Sequence, residues 1–344
     1  TQNGDTDAKS GAQTPTATAM TTASATAQQS TAASGDSCKG LKGVEAVYIC
    51  GGTISIDSAD DAVHSNGEVI FCGGTLSAAS GDDGMHADGA LSISGGSITI
   101  SGSYEGLEGQ TIDVSGGEIM LTASDDGLNA AGGNDGSSVN GRAGQNTFAA
   151  DSSCAITISG GTLCVSAGGD GIDSNGDLRI SGGLVLVNGP TDDGNGALDY
   201  AGSGSITGGV LIAAGSSGMA QSLESDTQGV LLVNLAQQSA GTRISLVDAN
   251  GTAVLSWTPS KTYSCVVFSA PGIQKGGTYT IASGGEVQGA DANGYASDAS
   301  ISGGTQLLSV TMSALTQTAK TDDASGSTGG MGGGMTSGTK PGRG

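Results

Sequence analysis

The sequence predicts an all-β protein, a right-handed parallel β-helix of about seven 22-residue rungs that ends in a small C-terminal β cap. The first observation behind this fold class is a recurring Gly-Gly pair. The pairs are Gly51-Gly52, Gly73-Gly74, Gly95-Gly96, Gly116-Gly117, Gly160-Gly161, Gly182-Gly183 and Gly208-Gly209. The steps between the first glycines are 22, 22, 21, 44, 22 and 26 residues. A repeat of this length is typical of stacked supersecondary units, here called rungs.

The second observation is that apolar residues keep fixed positions relative to each glycine pair. Because a strand sends alternate side chains to opposite faces, such columns predict the sides of a core. The column two residues before each pair contains Ile49, Phe71, Ile93, Val114, Ile158, Ile180 and Ile206. The column two residues after each pair contains Ile54, Leu76, Ile98, Ile119, Leu163, Val185 and Leu211. A third side contains Val63, Met85, Leu107, Leu128 and Ile172, so we expect three short strands per rung with glycines at the corners.

The rungs divide the chain into segments. Residues 1–37 consist mostly of Thr, Ala, Ser and Gln, which predicts a low-complexity linker or loop. Residues 38–218 form the β-helix, and the 44-residue step predicts an insertion at 130–153. Because the insertion follows Asp125-Asp126 closely, we expect it to form a flap over that acidic edge. Residues 219–315 lose the period and read as β-hairpins, which predicts the cap. Residues 316–344 read as a disordered, Gly/Met-rich tail.

The last rungs indicate why a cap is needed. Outward positions that are small and polar in earlier rungs become apolar at Leu184, Leu186, Val210 and Ile212. An apolar outer face needs a cover, so we expect residues 219–315 to fold back onto it. Cutting the chain after Ser217 is then expected to cause aggregation, and replacing the four residues by Ser or Thr is expected to restore solubility.

A column of acidic residues lies nine positions after each pair. Its members are Asp61, Asp83, Glu105, Asp126, Asp170 and Asp192, preceded by Asp60, Asp82 and Asp125, and followed three positions later by His64, His86, Glu108, Asn129 and Asp173. Carboxylates stacked roughly 4.8 Å apart repel each other by roughly 1 kcal/mol in water and by about 3 kcal/mol at an effective dielectric near 20. The column therefore requires either free solvent, as a solvated acidic edge, or a cation. Calcium suits converging Asp and Glu oxygens because it takes 6–8 oxygen ligands.

Several runs in and around this column resemble a known family. The runs SADDAVHSNG, SGDDGMHADG, SYEGLEG, GGDGIDSNG and NGPTDDGNGALDYAG resemble the bacterial carbohydrate-binding β-helix family of clostridial type, over about Cys38 to Thr311. The resemblance implies a pectate-lyase-like, calcium-containing fold that binds cellulose or acidic sugars. We predict calcium ligands among Asp60, Asp61, Asp82, Asp83, Glu105, Asp125, Asp126, Asp170 and Asp173. We predict carbohydrate contacts by His64, His86, Tyr104, Glu108 and Asn129.

The predicted function is non-catalytic, calcium-assisted binding of polysaccharide, cellulose or polygalacturonate-like, at the bacterial surface. The alternatives are a calcium-dependent polysaccharide lyase and a structural surface stalk or adhesin. A lyase needs a strong base near the metal, yet the basic side chains of the rungs are few: Lys42, Arg142 and Arg179. No nucleophile signature occurs either, so the chain is not predicted to be an enzyme.

Charge and hydropathy exclude other classes. A net charge of −22 disfavours nucleic acid, because contact with phosphates needs Lys and Arg. No apolar run reaches the roughly 18–20 residues that span a bilayer. We expect an extracellular or surface-attached monomer that is a processed or truncated piece of an exported protein, since no signal peptide is visible.

The cysteines give one further prediction. Cys50 and Cys72 stand in the same column directly before a glycine pair, where stacked rungs bring their Cα atoms within disulfide reach. An exported protein could pair them, and two free thiols in a reducing habitat are the alternative. No CxxC spacing occurs, which disfavours zinc.

Overall fold

The computed structural model describes residues 38–131 and 150–324, and every regular element in them is a β-strand. The repeating part contains β1 (Leu41–Gly43), β2 (Ala46–Ser58), β3 (Val63–Ser65), β4 (Glu68–Ser80), β5 (Met85–Ile100), β6 (Leu107–Ala123), β7 (Leu128–Ala130), β8 (Ala155–Ile158), β9 (Thr162–Ala167), β10 (Ile172–Ser174), β11 (Asp177–Ile180), β12 (Leu184–Asn188), β13 (Asp199–Tyr200), β14 (Gly204–Ile206) and β15 (Val210–Gly215). The C-terminal part contains β16 (Gly229–Gln238), β17 (Ile244–Asp248), β18 (Thr252–Trp257), β19 (Tyr263–Ala270), β20 (Thr278–Ser283), β21 (Glu286–Val287), β22 (Ala296–Ser302), β23 (Thr305–Thr311) and β24 (Thr316–Lys320).

Successive rungs pair in parallel, so the molecule is a β-solenoid of about seven turns, as predicted. The predicted columns coincide with the observed register. Ile49 lies opposite Phe71, and Ile54 lies opposite Leu76. Every member of the Phe71 column is at most 5% exposed, and Val63, Met85 and Leu107 are fully buried. The expected three short strands differ in detail, because β4 runs through the corner at Gly73-Gly74 as one strand of 13 residues, although its pairing with β2 is irregular there.

The glycine pairs are required by the backbone at the corners. The second glycine of each pair has a φ between 81° and 97°, in the left-handed region that L-residues rarely adopt. At Gly161 a Cβ atom would also lie 2.7 Å from the carbonyl oxygen of Gly117 in the rung before it. Rungs can therefore stack closely here only when the corner has no side chain.

Two irregular steps of the repeat have different structural causes. In the 44-residue step Leu128 pairs with Ile172, which leaves the predicted insertion between β7 and β8. Residues 132–149 of this insertion lie outside the described part, so the flap stays a prediction. In the 26-residue step, four extra residues lie between the pairs Ser166–Asn188 and Asp173–Asp199. This corrects one member of the acidic column, because Gly196 takes the position after Asp170 and Asp192 lies exposed in the enlarged loop.

The C-terminal part both ends the solenoid and covers one of its faces. Strand β19 pairs antiparallel with β15, β16 pairs with β19, and β24 pairs parallel with β16. A second sheet, in the order β21-β22-β18-β17-β20-β23, packs over the outer face of the last rungs. Leu186 and Ile212 are fully buried there, in one cluster with Leu246, Trp257 and Phe268, and Leu184 and Val210 pack against that cluster.

The position of β24 corrects one predicted boundary. Residues Thr316–Lys320 were assigned to a disordered tail, but they form a strand whose backbone pairs with β16. The segment TQTAK contains a single apolar residue, Ala319, so its sequence gives no apolar alternation that would predict a strand. Residues 325–344 lie outside the described part.

Cys50 and Cys72 are joined by a disulfide across the first two rungs, with Cα atoms 4.5 Å apart. A bond that closes a loop of this length stabilises a fold by roughly 3 kcal/mol in the chain-entropy model. Non-reducing peptide mapping of protein isolated from an oxidising compartment is expected to yield the linked pair of peptides. Recovery of both cysteines as alkylated thiols would contradict this expectation.

Candidate functional site

The acidic column forms a continuous corner of the solenoid, here called the acidic corner. Its members are Asp60, Asp61, His64, Asp82, Asp83, His86, Glu105, Glu108, Asp125, Asp126, Asn129, Asp170 and Asp173. The parallel backbone ladder continues through it, since Gly84 N donates to Glu105 O at 2.9 Å and Gly106 N donates to Asp126 O at 3.0 Å. Side chains of successive rungs are therefore held one above another.

One carboxylate oxygen in each of several rungs has a structural role. Asp61 Oδ1 accepts a hydrogen bond from Asp83 N at 3.2 Å, and Asp83 Oδ1 accepts one from Glu105 N at 3.2 Å. Asp126 Oδ1 likewise accepts from Asp170 N at 2.6 Å. The column thus fixes the backbone of the next rung with one oxygen, and the second oxygen is left for other partners.

The N-terminal part of the corner, from Asp60 to Glu108, is here called the upper rungs. Its corner side chains are buried, which excludes a solvated acidic edge there. Asp61 is fully buried, Asp83 is 2% exposed and Glu105 is 4% exposed. Burying carboxylates requires hydrogen bonds and opposite charge, because desolvation disfavours the ionised form. The source of positive charge differs along the corner.

At the top of the corner the positive charge comes from Lys39. Its Nζ atom lies 3.1 Å from Asp60 Oδ1 and 2.5 Å from Asp61 Oδ2. His64 Nδ1 lies 2.7 Å from the same Asp61 oxygen. Burial alone would raise the pKa of Asp61, but the hydrogen bonds from His64 and Lys39 and the nearby charges hold that pKa below its usual value. Asp61 is therefore ionised.

In the next rung His86 supplies the positive charge. His86 Nδ1 lies 2.5 Å from Glu108 Oε2 and 3.4 Å from Asp83 Oδ2, and Nε2 lies 3.0 Å from Asp88 Oδ1. Burial lowers the pKa of His86, but hydrogen bonds to Asp83 and Glu108 and their charges raise it to about 12. With carboxylates at both nitrogens, His86 is an imidazolium, and its ring stacks on that of His64 with centroids 4.8 Å apart.

The C-terminal part of the corner, from Asp125 to Asp173, is here called the lower rungs. These rungs have no such counter-charge among the described side chains. Asp126, Asp170 and Asp173 each offer an oxygen within 4.8 Å of the others. Burial, followed by the charges of the neighbouring carboxylates, raises the pKa of Asp126 to about 8 and that of Asp173 to about 8. Burial and the charges of Asp199 and Asp125 raise the pKa of Asp170 to about 7. In the absence of a cation, burial and mutual repulsion therefore favour the protonated, neutral forms of these carboxyl groups.

The donor set in these rungs fits calcium. All its ligand atoms are hard oxygens, which calcium prefers. Asn129 is 5% exposed and pairs with Glu108 on one side and Asp173 on the other. Its Nδ2 donates to Glu105 Oε2 at 2.9 Å, but its buried Oδ1 has no hydrogen-bond partner among the described residues. A cation between these rungs would satisfy that oxygen.

Comparison with known proteins adds one match. A family model described as carbohydrate-binding domain-containing protein matches residues 3–84. The match takes in the first two rungs of the solenoid, with Asp60, Asp61, His64, Asp82 and Asp83 of the acidic corner. No curated protein and no solved structure matches the chain. No helix in the described part of the chain has the length and apolar character needed to cross a membrane.

The structure places most of the predicted sugar-binding side chains inside the corner. His64, His86, Glu108 and Asn129 are at most 5% exposed. Hydrogen bonds join them to neighbouring side chains of the corner, as in the contact between His86 and Glu108. Tyr104 is half-buried and keeps some exposed surface. In this arrangement the four buried side chains order the acidic groups and offer little surface to a sugar.

Two residues of the corner were missed in the sequence. Asp199 pairs with Asp173, accepts a hydrogen bond from Gln221 Nε2 at 2.6 Å, and its charge raises the pKa of Asp170 and of Asp173. Counting a fixed distance from the glycine pair missed Asp199, because its rung contains four extra residues. Lys39 stands 22 residues before Asp61, so the repeat places it in the acidic column. Its position was overlooked because a lysine does not match the acidic residues of that column.

Proposed function

We propose that this protein binds polysaccharide without cleaving it, with calcium held at the lower rungs of the acidic corner, on the surface of a bacterial cell. The observation that carries the proposal is the group Asp126, Asp170 and Asp173, whose carboxylates converge without a counter-charge among the described residues. The match of residues 3–84 to a carbohydrate-binding family supports polysaccharide as the partner.

Accessibility favours the lower rungs as the binding surface. Asp126, Asp170 and Asp173 are half-buried, whereas the corner carboxylates Asp60, Asp61, Asp82, Asp83, Glu105 and Glu108 are at most 6% exposed. Calcium takes 6–8 oxygen ligands, so an ion bound by these three groups retains positions for other oxygens. The ion would supply positive charge to which carboxylate or hydroxyl oxygens of an acidic polymer can bind, since the protein itself carries a net charge of −22.

The basic groups at the corner support binding over elimination. A lyase removes the proton next to a uronate carboxylate, which requires an unprotonated base within reach. The Lys39 ammonium is held by Asp60 and Asp61, both nitrogens of His86 face carboxylates, and His64, whose Nδ1 faces Asp61, is 2% exposed. None of these groups is placed to accept a proton from a bound polymer. A lyase is the second candidate because the corner combines acidic ligands with the β-solenoid fold.

The proposal is tested by binding to a glycan array and to immobilised polygalacturonate and cellulose, with calcium and with chelator. Binding that requires calcium is expected, and Asp126→Asn combined with Asp170→Asn is expected to weaken it at least tenfold. Asp113→Asn is the matched control, because Asp113 is an exposed carboxylate outside the corner. Release of unsaturated uronates, seen by ultraviolet absorbance, would identify a lyase, and no glycan binding in either buffer would favour a structural stalk.

A further inference from the structure

Lys39 occupies the position in the first rung that carboxylates occupy in the rungs that follow. Gly40 N donates to Asp61 O at 2.9 Å, and Leu41 pairs with Val63, so Lys39 lies directly opposite Asp61 in the ladder. Its side chain is 2% exposed. A lysine ammonium is a compact point charge with three donors, and burying one requires acidic partners.

The partners of Lys39 form a group with the spacing of metal ligands. Asp60, Asp61 and Asp82 each offer an oxygen within 4.8 Å of the others. The ammonium contacts the first two of these residues. Asp60 is 4% exposed, and its Oδ2 accepts no hydrogen bond from a described residue although its Oδ1 is bonded. This buried carboxylate oxygen without a hydrogen-bond partner, beside a bound ammonium, indicates a cation site that the lysine fills only in part.

We propose that Asp60, Asp61 and Asp82 form a cation site whose resident ion is the ammonium group of Lys39, and that this site takes calcium when the ammonium is removed. Lys39 is thus a tethered counter-ion that makes the top of the acidic corner independent of metal. The inference uses the proposed function only for the choice of calcium as probe.

Two physical arguments indicate that this site would bind calcium once the ammonium group of Lys39 is removed. First, removing the ammonium leaves three carboxylates in a buried setting, where like charges a few ångströms apart repel each other far more strongly than in water. Second, the ligands already present are carboxylate oxygens, and three carboxylates can supply up to about six of the 6–8 oxygens that calcium takes.

The test counts calcium ions by equilibrium dialysis in the parent chain and in Lys39→Met, which removes the charge and leaves an unbranched apolar side chain one atom shorter. The variant is expected to bind one ion more than the parent. Lys39→Arg retains the charge and is expected to bind the same number as the parent. Adding Asp60→Asn to Lys39→Met is expected to abolish the extra ion.

Thermal melting supplies a second readout. In chelator Lys39→Met is expected to melt at least about 5 °C below the parent, and millimolar calcium is expected to remove most of that difference. If the variant folds only in calcium, the inference is supported. An unchanged ion count, or a variant that is unfolded in both buffers, would overturn it. The ion count of the parent tests the proposed function, whereas the difference between variant and parent tests the role of Lys39, so the two can fail separately.

Discussion

Millimolar calcium is expected to raise the midpoint of thermal unfolding of the parent chain by about 4–5 °C relative to chelator. An ion present at about 100 times its dissociation constant stabilises the native state by about 2.7 kcal/mol when it does not bind the unfolded chain. An unfolding entropy of roughly 2.1 cal/mol/K per residue amounts to about 0.6–0.7 kcal/mol/K for a chain of this size, which converts that stabilisation into the expected shift. The stabilisation arises because the ion relieves repulsion among Asp126, Asp170 and Asp173, which exists only in the folded rungs.

The same melts in chelator at several pH values test the electrostatic cause. The pKa values of Asp126, Asp170 and Asp173 are raised to about 8, 7 and 8, so between about pH 4 and pH 8 the folded state holds more protons than the unfolded state. Stability in chelator is therefore expected to fall as the pH rises through that window. Calcium is expected to flatten the dependence, because it replaces the protons as counter-charge.

Two outcomes would contradict this account of the lower rungs. Equal midpoints with calcium and with chelator would show that no ion stabilises the fold. A calcium effect that survives Asp126→Asn with Asp170→Asn would place the ion elsewhere in the molecule. Asp113→Asn, which removes an exposed carboxylate outside the corner, is expected to keep the full calcium response.

The core could be predicted from the sequence because two periods act together. Alternation along a strand and repetition from rung to rung place Phe71 under Ile93 and Leu76 under Ile98, and both pairs are observed. The same counting failed at Asp192, because it assumes a constant distance from each glycine pair. Four extra residues in that rung put Gly196 in the column and moved Asp199 next to Asp173.

The chemistry of the acidic corner could be predicted only in part. Its acidic residue types were evident, but burial depends on how the rungs pack around the corner and cannot be counted from a period. Lys39 breaks the pattern of its own column, so its pairing with Asp60 and Asp61 became visible only in three dimensions. The assignment of His64 and His86 to sugar contacts assumed exposure, whereas both rings are buried and hydrogen-bonded to carboxylates.

The cap was predicted from its covering role, and its second role was not foreseen. Strand β19 pairs with Leu211–Gly215 of β15 and so closes the hydrogen-bonding edge of the last rung. An open edge of this kind promotes association between chains. Cutting after Ser217 would expose this edge together with the apolar face, so replacing Leu184, Leu186, Val210 and Ile212 is expected to restore solubility only partly.

Ile212→Asn is expected to destabilise the full chain by about 2–5 kcal/mol, the range for loss of a large buried aliphatic side chain. Ile212 is fully buried in the cluster between the last rungs and the second sheet, and it lies opposite Phe268 of β19. The new amide would also be buried without a designed hydrogen-bond partner, which adds to the loss. Denaturant unfolding of the purified variant measures the change.

Met120→Asn is the matched control, because the two positions belong to one column. Met120 pairs with Cys164, which pairs with Leu186, which pairs with Ile212, yet Met120 is 45% exposed since the second sheet does not extend over its rung. This change is expected to alter stability by no more than about 0.5 kcal/mol, as for most surface substitutions. Equal effects at the two positions would mean that burial under the cap does not stabilise the last rungs. A small effect of Ile212→Asn would mean that the second sheet contributes little to the stability of the solenoid.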